Sequence, residues 1–250
     1  MKDIMNYSNE GKTVLVVGAS GATGRRLVKQ LLDCGLYVKA VVRASTTLPD
    51  QLKAHDRLTV IRTNLLELTD SELKALTAGC QSVASCLGHN VSWRGVFGKP
   101  RRLVTDTVRR LATAIVASRP EVPVRFVLMN SAGCSNQDID EPVPRAQRVI
   151  IAMLRLLVPP HADNEQAADY LRKSLGHTNS TLKWVVVRPD SLRDEDTVTD
   201  YSIHPSPTRS AIFDPGSTSR INVAHFMADL ITNDHLWQKW EGQMPVIYNQ

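Results

Sequence analysis

An α/β fold with a doubly wound, mostly parallel sheet is the class this sequence predicts, on three observations. Short apolar, β-branched runs alternate with amphipathic helical stretches along most of the chain. A glycine-rich turn joins the first run to the first helical stretch. Gly or Pro closes most of the segments, as expected of strand and helix units wound in parallel.

Thr13 to Val17 (TVLVV) reads as a strand covered on both faces. Beyond the turn Gly18 to Gly24, Arg25 to Cys34 carries apolar Leu27, Val28, Leu31 and Leu32 at helical spacing, with Gly35 placed to stop it. Tyr37 to Val42 predicts the second strand and Leu58 to Arg62 the third, past a turn through Pro49. Ser71 to Ala78 predicts a short helix ended by Gly79, and Ser82 to Leu87 a fourth strand closed by Gly88. Leu103 to Ser118 is a longer amphipathic helix with Pro120 and Pro123 behind it. Arg125 to Met129 gives the fifth strand, Asn164 to Ser174 a further helix, and Leu182 to Arg188 the sixth strand, stopped by Pro189. Asp194 to Gly216, rich in Pro, Ser, Thr and Asp, breaks the alternation, so residues 191–220 are expected to form a loop-rich cap on the substrate side. Ile221 to Ile231 returns to helical periodicity, and the chain ends in a strand-like PVIY. The expected organisation is a tail over residues 1–11 and one domain over residues 12–250, with a small C-terminal elaboration.

Composition narrows the classes further. The 250 residues are 42% hydrophobic with a formal charge of +5, close to the globular norm, which excludes disordered and collagen-like chains. The longest apolar stretch, Val149 to Val158, is interrupted by Arg155 and is too short to span a bilayer. That stretch could lie on a membrane surface or form a homodimer patch, but a lid packed over a ligand cleft suits its place before Pro159-Pro160 better. The polar start MKDIMNYSNEGK has no apolar export core, so a cytoplasmic protein is expected. Cys34, Cys80, Cys86 and Cys134 show neither CxxC spacing nor a nearby His, and read as small buried hydrophobes with no metal site. Lys99, Arg101, Arg102, Arg109 and Arg110 form the densest basic stretch, which reads as a solvated helix face and not as a nucleic-acid surface. The loop from His89 to Pro100, with Trp93 and Phe97, reads equally as an apolar pocket wall or an ordinary surface loop.

The strongest chemical signal is Gly18-Ala19-Ser20-Gly21-Ala22-Thr23-Gly24, directly after a strand and opening a helix. Such glycines let the backbone turn tightly and approach a pyrophosphate, while the helix start offers free N–H groups and the positive end of its dipole. Dinucleotide binding in a Rossmann-type unit is the reading, with Gly18, Ser20, Gly21, Ala22, Thr23, Gly24 and Arg25 as the contacts. The end of the second strand decides which dinucleotide. An NAD site usually carries Asp or Glu there, but this chain has Val41-Val42-Arg43-Ala44-Ser45. Arg43 can grip a 2′-phosphate bidentately, which favours NADP(H). Ligands in such sheets lie beyond the carboxyl ends of the strands. Asn64 and Leu65 after the third strand, Cys86, Leu87 and Gly88 at the fourth, and Arg188 and Pro189 at the sixth therefore complete the expected cofactor site. Asn64 suits an adenine contact or plain turn-making equally. Topology also brings His89, Ser131 and Asp190 to the same crevice.

The segments GASGATGR (18–25), VVR (41–43), VASCLG (83–88), FVLMNSAG (126–133), ADYLRKSLG (168–176) and WVVVRPDSL (184–192) together resemble the atypical branch of the short-chain dehydrogenase/reductase superfamily. That branch includes NmrA-like proteins and small flavin- and biliverdin-reductase-like proteins, and TSRINVAHFMADLI (218–231) resembles its late strand–helix unit. The resemblance, over about residues 12 to 231, implies a monomeric or dimeric NADP-dependent oxidoreductase fold acting on a small molecule. It also exposes a departure. The typical family has Tyr-x-x-x-Lys on the helix before the sixth strand and a Ser after the fifth. Here Ser131 is kept, but the alignment puts Pro160 and Asn164 at the paired positions, or His161 and Glu165 with a shift of one residue. Ser131, His161 and His89 are the candidate catalytic residues, and Asn164 is a candidate for holding the ribose without charge. Three readings follow: a reductase delivering hydride to a carbonyl or conjugated molecule without the usual pair, a non-catalytic NAD(P)-sensing regulator, and a non-redox isomerase or epimerase.

Overall fold

A computed structural model describes residues 11–250 apart from 47, 90–97, 99, 143 and 144. Most of the expected tail and the Trp93–Phe97 segment thus lie outside the described residues. The elements run β1 (Thr13–Val17), α1 (Ala22–Asp33), β2 (Tyr37–Val42), a single turn α2 (Asp50–Lys53), β3 (Leu58–Arg62), α3 (Asp70–Thr77) and β4 (Ser82–Ser85). They continue with α4 (Leu103–Ser118), β5 (Val124–Met129), α5 (Arg145–Leu157) and α6 (Pro159–Asp169), which passes into a π-helical turn at Tyr170–Leu175. The last third holds β6 (Leu182–Pro189), β7 (Ser191–Arg193), β8 (Tyr201–His204), β9 (Ser217–Ser219), α7 (Arg220–Thr232), α8 (Asp234–Trp240) and β10 (Val246–Asn249).

The sheet has the order β3-β2-β1-β4-β5-β6-β10-β8. All neighbours pair in parallel except β8, which closes the edge antiparallel to β10. Strand order reverses between β1 and β4, and their carboxyl ends therefore part to leave a crevice. Side-chain parity explains the apolar runs, because successive residues of one strand feed opposite cores. Val14, Val16, Val38 and Ala40 pack with α1 and α7, whereas Leu15, Val17, Val83 and Phe126 pack with α3, α4 and α6. A strand with helices on both faces has no solvated side, so β1 is apolar from Val14 to Val17.

The described chain differs from expectation in several places, the simplest being Cys34, read as a buried hydrophobe but exposed at the C-cap of α1. The helix expected at Asn164 starts earlier, at Pro159, because proline fits the first helical positions, where its missing N–H costs nothing. The cap is not wholly loop: β7 and β9 form a small parallel pair and β8 joins the main sheet, each strand too short to show a periodic pattern. Helix α8, unanticipated, is capped by Asn233 and buries Trp237 and Trp240. No described residue of α5 borders the crevice at the β1–β4 switch, and Arg155 of this helix is instead bound to Glu165 of α6. Among the described residues no helix is long and apolar enough to cross a membrane, and no cluster of His, Cys, Asp and Glu could hold a metal ion.

Candidate functional site

At the switch between β1 and β4 lies a cleft of about 450 Å³. Gly18, Ser20 and Gly21 form its floor, Arg43 and Thr46 one end, and Gly88 and His89 another wall. The glycines are there for steric reasons. Gly18 has φ +73°, and a Cβ on it would lie 2.7 Å from the Cys86 carbonyl. A Cβ on Gly24 would sit 2.1 Å from the Gly18 carbonyl oxygen, so only glycine lets α1 dock this closely on the turn. Gly21, the N-cap of α1, offers no side-chain cap, and the first turn has no acidic residue. The initial amides of α1 are thus left to an anion, with the positive end of the helix dipole behind them.

Of the expected cofactor residues, Gly18, Ser20, Gly21, Arg43 and Asn64 border this cleft, as do Leu65, Cys86, Leu87 and Gly88. Asn64 accepts from the Leu66 amide at 3.2 Å and donates to Glu67 at 2.7 Å, so its side chain makes the turn while it faces the cleft. Arg43 is exposed, and its carbonyl accepts from Thr46 through amide and hydroxyl, which shapes the strand end around it. Burial pushes the Cys86 thiol up to about 12, so it is an inert wall. Ala22, Thr23 and Gly24 form the first turn of α1, and Arg25 stands exposed beyond it, outside the cleft lining.

Arg188 requires a correction. Its guanidinium is fully buried and donates to the carbonyls of Met244 (2.6 Å) and Cys134 (2.8 Å) and to Glu141 (2.7 Å). It knots the loop after β5 to the strand ends and does not reach the cofactor cleft. Pro189 belongs to the same joint, since its carbonyl accepts from the Ala132 amide at 2.9 Å.

A second group of polar residues is gathered by α6. Asp163 has no exposed side-chain surface and accepts from the Val104 amide (2.8 Å) and the Thr105 amide (2.9 Å), capping α4, whose own N-cap Arg102 supplies no side-chain bond. Its Oδ2 also meets His89 Nε2 at 2.8 Å, which fixes the imidazole against the cleft wall. Burial opposes ionisation of Asp163, but the bonds from His89, Thr105 and Val104 outweigh it and hold the carboxyl below its usual range. Sequence reasoning missed Asp163, because a buried carboxylate within HADNEQ carries no local signal.

The catalytic candidates of β5 and α6 meet at Gly133. Ser131 Oγ accepts from the Gly133 amide at 3.2 Å, and the Cβ position of Gly133 lies 3.5 Å from that oxygen and 3.6 Å from His161 Cε1. Asn130 fastens the two segments by donating to the Asn164 carbonyl at 2.8 Å, so Asn164 enters the site through its backbone. Neither Ser131 nor His161 borders the 450 Å³ cleft; His89, on the wall, is tied through Asp163 to the helix that carries His161. Asp190, also expected at the crevice, accepts instead from the Gly216 amide at 2.9 Å, and burial raises its carboxyl above the ordinary value.

A doubly wound parallel sheet with a glycine cradle and an uncapped helix start at its switch point defines a dinucleotide-binding protein. The comparisons agree: residues 18–234 match a family described as NAD(P)H-binding, and the chain belongs to it. The expected dinucleotide-binding family is borne out on that ground. An uncharacterized chloroplastic protein of Arabidopsis thaliana is 25% identical over 223 residues, which cover 89% of this chain and 73% of the relative. A short-chain dehydrogenase/reductase from Veillonella parvula in complex with NADP superposes with a TM-score of 0.67 at 18% identity, over 95% of this chain and 94% of the other. A putative NADH-flavin reductase from Streptococcus pneumoniae gives a TM-score of 0.65 at 18% identity, covering 96% of this chain and all (100%) of its own. At these identities the structural likenesses define the fold.

Proposed function

We propose that the protein is an NADP(H)-dependent reductase that delivers hydride to an electrophilic carbonyl or conjugated small molecule. The observation that carries the reading is the cleft at the glycine turn, which ends at an exposed Arg43 and has no carboxylate at the end of β2. The amides of Ala22, Thr23 and Gly24 would hold the pyrophosphate, and Arg43 the 2′-phosphate. A bound nicotinamide supplies the hydride. The NADP complex of the Veillonella neighbour and the flavin-reductase name of the Streptococcus neighbour support the same class of chemistry.

Ser131 and His161 supply the other half. As hydride reaches the electrophilic carbon, its heteroatom gains an electron pair and takes one proton, so substrate, NADPH and one H⁺ become reduced substrate and NADP⁺. The Ser131 hydroxyl orients that heteroatom and protonated His161 gives the proton. His89, fixed by Asp163, shapes the cleft wall beside Gly88.

The test measures NADPH and NADH binding by calorimetry, then NADPH consumption with quinones, flavins, tetrapyrroles and aldehydes. Turnover of one class with preference for NADPH is the expected result. Arg43→Asp should weaken NADPH binding roughly ten- to a hundredfold, the loss of one charge-assisted contact, and leave NADH nearly unchanged. Equal losses for both coenzymes would contradict the phosphate assignment, and tight NADPH binding without turnover on any acceptor would favour a sensor.

A further inference from the structure

We infer that Glu165, clamped by Arg155, is a positioning residue for His161 that fixes its tautomer and turns Nδ1 toward the Ser131 turn. The inference rests on the reductase reading for its kinetic consequence and on the geometry alone for its structural one. His161 and Glu165 are one helical turn apart on α6 and share a face. His161 Nε2 is buried without a hydrogen bond, and Glu165 Oε1 stands 3.5 Å from it, at ion-pair distance. The Cε1–Nδ1 side of the ring faces Gly133, whose Cβ position is 3.6 Å from Cε1 and 4.0 Å from Nδ1. One ring nitrogen therefore belongs to the carboxylate and the other to the Ser131 turn.

Glu165 is not free to leave. Arg155 of α5 grips it with two bonds, Nε to Oε2 at 2.6 Å and Nη2 to Oε1 at 2.9 Å. A planar, bidentate pair of this kind holds a carboxylate in one orientation. Burial works against the charge on Glu165, but His161 and Arg155 more than offset it and keep the carboxyl below the usual range. A void of about 330 Å³ bordered by Arg155, Glu165 and Ser135 lets water reach the outer side of the pair. The other titratable groups near the ring are accounted for. Asp163 on the same helix points to the start of α4, and the Cys134 thiol beside Gly133 is raised by burial and stays neutral.

With Glu165 ionised, neutral His161 carries its proton on Nε2 and presents Nδ1 as the acceptor. Protonated His161 then gives the Nδ1 proton to the substrate heteroatom and regains one from water, so the site is restored with one proton consumed per hydride. The family's Tyr-x-x-x-Lys pair is replaced by a His-x-x-x-Glu pair whose cation comes from the preceding helix.

The experiment is ¹⁵N NMR of the imidazoles in the full chain, with His161→Asn to assign the signal, across pH 5 to 9. In the wild type the neutral ring should be the Nε2–H tautomer; an Nδ1–H tautomer overturns the inference without any further variant. Glu165→Gln should raise the Nδ1–H share of the neutral His161 ring several-fold, because the carboxylate that draws the proton to Nε2 is gone. It should also reduce kcat about 10- to 100-fold with the KM for NADPH unchanged. An unchanged tautomer ratio in a folded Glu165→Gln protein overturns the inference even if activity falls. Arg155→Lys should restore more activity than Arg155→Met. If the tautomer ratio behaves as expected but no acceptor is reduced, the positioning stands and the reductase reading fails.

Discussion

Arg188→Met removes the knot beneath the loop after β5, and the structure sets the size of the effect. The guanidinium donates at 2.6 Å to Met244, 2.8 Å to Cys134 and 2.7 Å to Glu141, with a longer contact of 3.3 Å to Pro205. Glu141 keeps one bond, from the Asn136 amide at 3.0 Å, but its side chain is only 3% exposed and would be left as a buried anion. Breaking a buried pair from one side costs about 3–5 kcal/mol, which for a chain of this size lowers Tm by roughly 6–20 °C. Urea unfolding followed by tryptophan fluorescence measures it, since Trp184, Trp237 and Trp240 are all buried. Arg188→Met with Glu141→Leu removes both charges and should recover most of the loss, because apolar replacements of buried pairs are often neutral. A single-variant cost below about 1 kcal/mol, the value of a surface pair, would refute the reasoning. So would a double variant no better than the single one.

Gly24→Ala places a methyl 2.1 Å from the Gly18 carbonyl oxygen, so α1 must shift; a stability loss of about 1–3 kcal/mol and at least tenfold weaker NADPH binding are expected by melting and calorimetry. Asp163→Asn should cost roughly 1.5–3 kcal/mol at pH 7 through the lost charge-assisted bonds to His89 and the α4 amides. Because the folded pKa of Asp163 is depressed, its contribution is present above the unfolded value near 3.9 and is lost as pH falls through the lower folded value. The wild-type and Asp163→Asn stability curves should therefore converge below about pH 4; a constant gap down to pH 2 would show that charge is not the cause.

The central strands were legible because two-sided burial leaves mostly apolar residues at β1, β2 and β5, with Lys39 and Arg125 the charged exceptions, and the glycine turn was legible because its sterics admit nothing else. Other features depend on partners far along the chain. Asp163 is explained only by the start of α4, and Arg155 only by Glu165. The short strands of the cap draw on pairing with β10 and with each other, which three or four residues do not advertise. Arg188 shows how topology misleads. It does stand at the carboxyl end of β6, but a strand's parity decides where its side chain goes. Val185 and Val187 face the core under α1 and α7, and Val186 the opposite one, so Arg188 takes the side of Val186 and turns beneath the loop at Cys134.

Helix periodicity explains how α6 serves fold and site at once. Residues 161 and 165 lie on one face, and residue 163 lies roughly opposite. The inward carboxylate, Asp163, seals the start of α4 and holds His89, while the outward one, Glu165, stays with His161 and Arg155. Two carboxylates two residues apart thus carry different loads. Substitution at 163 strikes the packing of α4 against α6, whereas substitution at 165 leaves that packing untouched and changes only the electrostatics of the ring beside Ser131. A helix shifted by one residue in register would turn His161 away from Gly133 and put Ala162 and Gln166 in the places of His161 and Glu165. The paired prolines at 159 and 160 are therefore part of the site, because by starting the helix where they do they decide which side chain faces the Ser131 turn.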